Sequence, residues 1–315
     1  MRRLRISAIS YLNTAPLMWD FDHGDAGSAF DISYTLPSAC ARALQAGTAD
    51  IGIIPAAAYT QVPGLSILPG VAIASRQPVR SILLISRVPV DKIRSVALDT
   101  SSMTSVALTK VLFEKWLGGG RTFTPMPPDL DKMLAQHDAG LVIGDPALQI
   151  DRSRYLTLDL AEEWIRHTGK PFVFAFWAIR QQALQEEASS GKHAREQDAQ
   201  CGDDLRGDGP CGDGRIRPSS ERSDATPLDL ASVFQQSRDH GLEPRSLDHL
   251  TREWAPRLGL KESDVRSYLT KNIYYQLDAP CLEGLQLFYR YAAEIGALPA
   301  APELRFLASA NVAIV

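Results

Sequence analysis

Two turns rich in hydroxyl and amide groups in this 315-residue chain are suited to meet negative charge. The first is Ser10-Tyr11-Leu12-Asn13-Thr14-Ala15-Pro16-Leu17, directly after the apolar run from Leu4 to Ile9. It puts Asn13 or Thr14 at a helix start, where unpaired backbone N–H groups and the helix dipole favour an anion such as a carboxylate. Asn13 can equally be no more than the cap of that helix. The second is Asp99-Thr100-Ser101-Ser102-Met103-Thr104-Ser105, another strand-to-helix turn. Ser101, Ser102, Thr104 and Ser105 fill four of five consecutive positions, more hydroxyls than one cap consumes, and suit a second carboxylate.

Two isolated positions join these turns. Ser81 stands at the start of the strand expected in RSILLIS, just after Arg80, and Asp145 follows the run GLVIG. In Gly144-Asp145-Pro146 the aspartate reads either as a helix cap or as a group facing the ligand. The histidines His23, His137, His167, His193, His240 and His249 form no ligand pair at helical spacing and no base-nucleophile pattern. Gly118-Gly119-Gly120 lacks the Lys-Ser/Thr ending of a phosphate-binding loop and reads as a helix terminator. Cys40, Cys201, Cys211 and Cys281 lack the paired spacing of a zinc or redox motif, so reduced thiols and no metal are expected.

The elements that must carry these residues follow an α/β grammar. Strands are expected at Leu4 to Ile9, Asp31 to Leu36 and Ile51 to Ile54, with a helix from Pro37 and Ser38 to the stop at Gly47. The same order recurs as SVAL at 95 to 98, a helix from about Met103 to Leu117, FTPM at 123 to 126, a short helix near Leu130 and GLVIG at 140 to 144. RSILLIS, at 80 to 86, is continuously apolar in its middle and FVFAFWAI, at 172 to 179, throughout, as befits strands buried on both faces. They predict two crossings between two lobes: 1–86 with 180–315 as a discontinuous first lobe, and 87–179 as a second. Ligands of open α/β sheets bind beyond the carboxyl ends of the strands, so the cleft between lobes is the expected site. Helices are expected from Leu228 onward, at 228–240, 247–258, 262–272 and 280–295, packed on the first lobe.

Composition sets limits on function. Hydrophobic residues make up 45% and charged residues 22%, a globular balance, and the formal charge of −4 offers no basic field for nucleic acid. Residues 186–227 carry ten acidic and six basic groups and no aromatic residue, which predicts a disordered insertion that accounts for the whole net charge. The N-terminus has neither a signal-peptide core nor a membrane span, so a cytoplasmic protein is expected.

ISYLNTAPL resembles the opening of the chorismate dehydratases of futalosine-dependent menaquinone synthesis, and the resemblance continues in order. QPVRSILLIS (77–86), DTSSMTSVALTKVL (99–112), PDLDKML (128–134), LVIGDPAL (141–148) and LAEEWIRHTGKPFVFAFWAIR (160–180) all match. One departure is Pro55-Ala56-Ala57-Ala58-Tyr59, where the family commonly carries a polar segment. The long insertion is another. The resemblance implies a two-lobed periplasmic-binding-protein-like fold of type II with central mixed sheets. It also implies a small-molecule substrate, chorismate, and neither cofactor nor obligate protein partner. It assigns Asn13 and Ser81 to the chemistry; Tyr11, Thr14, Ser101, Ser102, Thr104, Ser105 and Asp145, on the turns and the cleft position read above, are expected to bind the substrate. Two alternatives share these features. A solute-binding module for a small carboxylate would need an export signal, and the sister enzyme acting on cyclic dehypoxanthine futalosine usually opens with a Ser-Pro-Cys-Pro-Asn-Asp pattern absent here.

Overall fold

Ten strands form two five-stranded sheets of matching topology, in a computed structural model that describes residues 3–186 and 229–308. In the first sheet β1 (Leu4–Ile9) pairs in parallel with β2 (Phe30–Thr35) and β3 (Ile51–Pro55), and with β4 (Leu65–Ser75) and β10 (Phe172–Arg180) the order is β2-β1-β3-β10-β4. The second sheet runs β7-β6-β8-β5-β9, with β6 (Ser95–Asp99) parallel to β7 (Thr122–Met126) and β8 (Ala139–Ile143). In each, one antiparallel strand sits fourth: β10 (Phe172–Arg180) in the first, β5 (Ile82–Ser86) in the second. These are the two crossing strands, and each enters its sheet from the other lobe.

This moves the expected lobe boundaries. Ile82–Ser86, assigned above to the first lobe, belongs to the second sheet, and Phe172–Arg180 belongs to the first. The crossings therefore run through 76–81 and, after the second-lobe helix Leu160–Thr168, through 169–171, not at 86 and 179. A strand buried on both faces fits either sheet by its apolar run alone, so pairing decides its place. Two further strands lie where none was expected. β4 (Leu65–Ser75) flanks β10 despite an internal Pro69-Gly70, and β9 (Leu156–Asp159) flanks β5. Both end their strand orders, and Pro69-Gly70 falls at the register shift between the Ile67–Ala178 and Ala72–Phe176 pairs, where no ladder bond needs a proline amide.

The first crossing is pinned before it reaches the site. Arg80 has φ +64°, the left-handed region that only Gly enters freely, and no other non-glycine among the described residues does so. The Asp159 carboxylate holds it there, accepting from the Val79 amide at 3.0 Å and the Arg80 amide at 2.6 Å. It also caps the helix Leu160–Thr168. One buried aspartate thus ties the first crossing to the helix that leads into the second.

The C-terminal helices Leu230–Gly241, Pro244–Leu258, Glu262–Ser267 and Ala279–Glu294 lie close to the expected ranges. The helix expected over 262–272 ends in a π-helical turn, Tyr268–Asn272. Leu230–Gly241 and Pro244–Leu258 pack on the first lobe, against the turn Leu12–Met18. Ala279–Glu294 touches β10 and also the second-lobe helix Thr104–Leu112. The insertion expected over 186–227 lies, apart from Glu186, outside the described residues. Among the described residues, no helix is long and apolar enough to cross a membrane.

Candidate active site

The carboxyl ends of β1, β3, β6 and β8 converge where the lobes meet, together with the starts of the antiparallel β5 and β10. They enclose a cavity of about 50 Å³ lined by Ile9, Pro55, Ile73, Ile82, Ile143 and Phe174 on its apolar sides. Tyr11, Asn13, Ser102, Thr104 and Ser105 supply the polar lining. Five of the nine expected site residues therefore stand on the wall. Space of this size takes only a few water molecules, so the lobes are closed on each other.

Backbone and side-chain bonds across the cleft show how. The Ser38 amide donates to the Ser101 carbonyl at 3.2 Å, and the Leu12 amide to both Asp145 oxygens, at 3.0 and 3.3 Å. Thr104 Oγ1 donates to the Phe174 carbonyl at 3.0 Å and accepts from the Ala57 amide at 3.1 Å. The Pro55-Ala56-Ala57-Ala58 departure thus provides an apolar wall at Pro55 and, through Ala57, a clasp on the second lobe.

The other four expected residues stand behind the lining. Ser101 is committed to Asp99, its amide and hydroxyl donating to one carboxylate oxygen at 2.8 and 2.6 Å. Thr14 is buried, bonds Asn13 Oδ1 at 3.4 Å and faces a second cavity beyond Tyr11. Ser81 is fully buried, and its carbonyl accepts from the Gly144 amide at 2.7 Å. Asp145 caps a helix, but not its own: its partner Leu12 begins the turn Leu12–Met18 of the opposite lobe. Burial pushes its carboxyl up to about 6, against the opposing pull of the Leu12 amide.

Gly144 explains how Tyr11 enters the cleft. Its φ of +67° with ψ −147° is a region essentially reserved for glycine, and a Cβ there would lie 2.6 Å from the Tyr11 ring. The ring lies against that bare backbone. Burial raises the Tyr11 phenol above its ordinary range, so it stays a donor.

Sequence reasoning missed Tyr268 and Asp99. Tyr268, in the π-helical turn, is buried and donates its hydroxyl to Ser81 Oγ at 2.8 Å. Burial raises its pKa, which keeps the proton on the phenol. Ser81 Oγ thereby accepts from below and keeps its own proton to donate. Asp99 is buried with Oδ2 unpaired, and desolvation raises its carboxyl despite the bonds from Ser101. It was legible as the first residue of the hydroxyl-rich turn, while Tyr268 carried no local signal.

Among the described residues the wall offers hydroxyls, an amide and helix-start N–H groups but no cationic side chain. Ser102 Oγ accepts from the Ser105 amide at 3.2 Å, leaving the Ser102 proton, the Ser105 hydroxyl and the unfilled first-turn amides of Thr104–Leu112 as donors. Such an array binds and polarises carboxylates without delivering a proton to them.

Comparisons with known proteins agree with this architecture. Solved structures of similar fold include a protein of Archaeoglobus fulgidus at 15% identity and TM-score 0.62, covering 94% of this chain and 98% of that one. The periplasmic aliphatic sulphonate binding protein of Escherichia coli matches at 14% and 0.60, covering 99% and 94%. A Candida albicans protein described as having the generic periplasmic binding protein fold matches at 11% and 0.55, covering 98% of each chain. These likenesses establish a periplasmic-binding-protein fold. A chorismate dehydratase of Thermus thermophilus is 25% identical over 96% of this chain and 98% of its own length. The profile of the menaquinone biosynthesis family matches residues 4–204, a span that contains every lining residue of the cavity, and the chain belongs to that family.

Proposed function

We propose that the chain is a cytoplasmic carbon–oxygen lyase that dehydrates chorismate to 3-[(1-carboxyvinyl)oxy]benzoate for menaquinone synthesis by the futalosine route. Family membership and the full-length dehydratase relative support the reaction. The observation that ties it to this cavity is the polar lining contributed by both lobes, Tyr11 and Asn13 from one and Ser102, Thr104 and Ser105 from the other. A substrate with two carboxylates meets donors on both sides.

The reaction removes the C4 hydroxyl and the C3 proton as water, leaving an aromatic ring and no change in redox equivalents. The C3 proton is acidic because the ring double bond conjugates it to the ring carboxylate. Donors that hold charge developing on that carboxylate lower the barrier, and Ser102, Ser105 and the first-turn amides are of this kind. Asn13 orients the substrate or polarises the departing hydroxyl, with Ser81 and its free proton beside it. Among the described residues, no Glu, His or Lys lines the cavity. The enolpyruvyl carboxylate of the substrate then serves as the base, and the closed cleft supplies orientation and excludes water. Entry requires the lobes to part, with 76–81 and 169–171 as the segments that bend.

Purified protein incubated with chorismate, with substrate and product followed by chromatography and mass detection, tests the reading. Product formation that falls sharply in Asn13→Ala and Ser81→Ala is the expected result. Tight binding of chorismate without turnover would identify a binding module instead.

A further inference from the structure

Away from the cleft, His23, His249 and Glu253 bring one ligand-type atom each to within 4.8 Å of one another. We propose that they form a site for a divalent transition-metal ion of the zinc class, stapling the helix Trp19–His23 to the helix Pro244–Leu258. Two imidazoles and a carboxylate are a donor set that zinc favours, and three protein donors leave a fourth position for water.

The groups are already oriented. His23 Nδ1 lies 3.3 Å from the Trp19 carbonyl, which can only accept, so that nitrogen carries the proton and Nε2 keeps the ligating lone pair. The His23 ring stacks on Trp19 at 4.2 Å, and the His249 ring meets Trp19 edge-on at 5.6 Å. His249 Nε2 stands 3.7 Å from Glu253 Oε2, one helical turn on. Arg257 holds the other carboxylate oxygen at 2.8 Å, which turns Oε2 toward the imidazoles. A backbone carbonyl behind one histidine and a cation behind the carboxylate are supports of the type that tune metal ligands. His23 and Glu253 also line the cavity beyond Tyr11, which gives an ion a route to the site.

The test is titration of the chelator-treated full chain with zinc chloride, by calorimetry and by the unfolding midpoint. One equivalent binding tighter than micromolar and raising the midpoint is expected. His23→Ala and His249→Ala should each weaken binding at least about tenfold and abolish the midpoint shift, while their midpoints without zinc match wild type. Cys201→Ser with Cys211→Ser should bind as wild type. Absence of binding, binding unchanged in both histidine variants, or binding lost in the cysteine variant would each overturn the proposal.

Discussion

Asp145 of the second lobe accepts the Leu12 amide of the first on both carboxylate oxygens, so a helix start in one lobe is capped by a side chain of the other. The bond serves closure as well as helix geometry, because parting the lobes exposes both the amide and the carboxylate to water.

The carboxyl has a pKa of about 6 when folded, because burial disfavours its charge. An unfolded aspartate titrates near about 4. Between these values the folded chain holds more protons than the unfolded one, so this group's contribution to stability falls as pH rises through that window and levels off above it. Asp145→Asn keeps an acceptor for Leu12 and removes the titration. Unfolding midpoints of wild type relative to the variant should be highest near about pH 4 and decline through about pH 6. A difference constant across that range would show that the carboxyl titrates as it does in water.

Thr104 and Ser105 are adjacent hydroxyls on the same cavity wall with different duties. Thr104 Oγ1 is spent on the Ala57 amide and the Phe174 carbonyl. Thr104→Val leaves both unpaired in the interior and should cost about 2–4 kcal/mol of stability. Ser105 bonds through its backbone in the first helical turn, and its hydroxyl faces the cavity. Ser105→Ala should leave stability within about 0.5 kcal/mol and raise KM for chorismate about tenfold. Chemical denaturation and steady-state kinetics on both variants check the division, and equal loss of stability would refute it.

Much of this arrangement was legible in the sequence where the signal is local. Leu4–Ile9 ends at a polar turn and forms a strand over that same range, and both hydroxyl-rich turns sit at the carboxyl ends of their strands. What escaped depends on pairing. An apolar run such as Ile82–Ser86 does not say which sheet it joins, and Pro69-Gly70 disguises an edge strand. Ser101 and Thr104 have hydroxyls of the right type, but Asp99, two residues away, consumes the first, and Ala57 and Phe174, distant in sequence, consume the second. Tyr268 lies 187 residues from Ser81, and His23 meets His249 only through the packing of two helices, so spacing rules pass over both.

Tyr268 offers the sharpest test of how Ser81 is positioned. Its hydroxyl donates to Ser81 Oγ at 2.8 Å, which aims the serine proton away from the tyrosine. Tyr268→Phe keeps the ring that fills the interior but frees the Ser81 hydroxyl to rotate, and should cost about 1–2 kcal/mol of stability. Turnover should fall about tenfold with KM little changed, because the loss is one of aim and not of binding. If the tyrosine acts through the serine, the double variant Tyr268→Phe with Ser81→Ala will be no slower than Ser81→Ala alone. Losses that multiply in the double variant would mean that Tyr268 touches the substrate independently, and its phenol would then belong with Asn13 among the groups that contact chorismate.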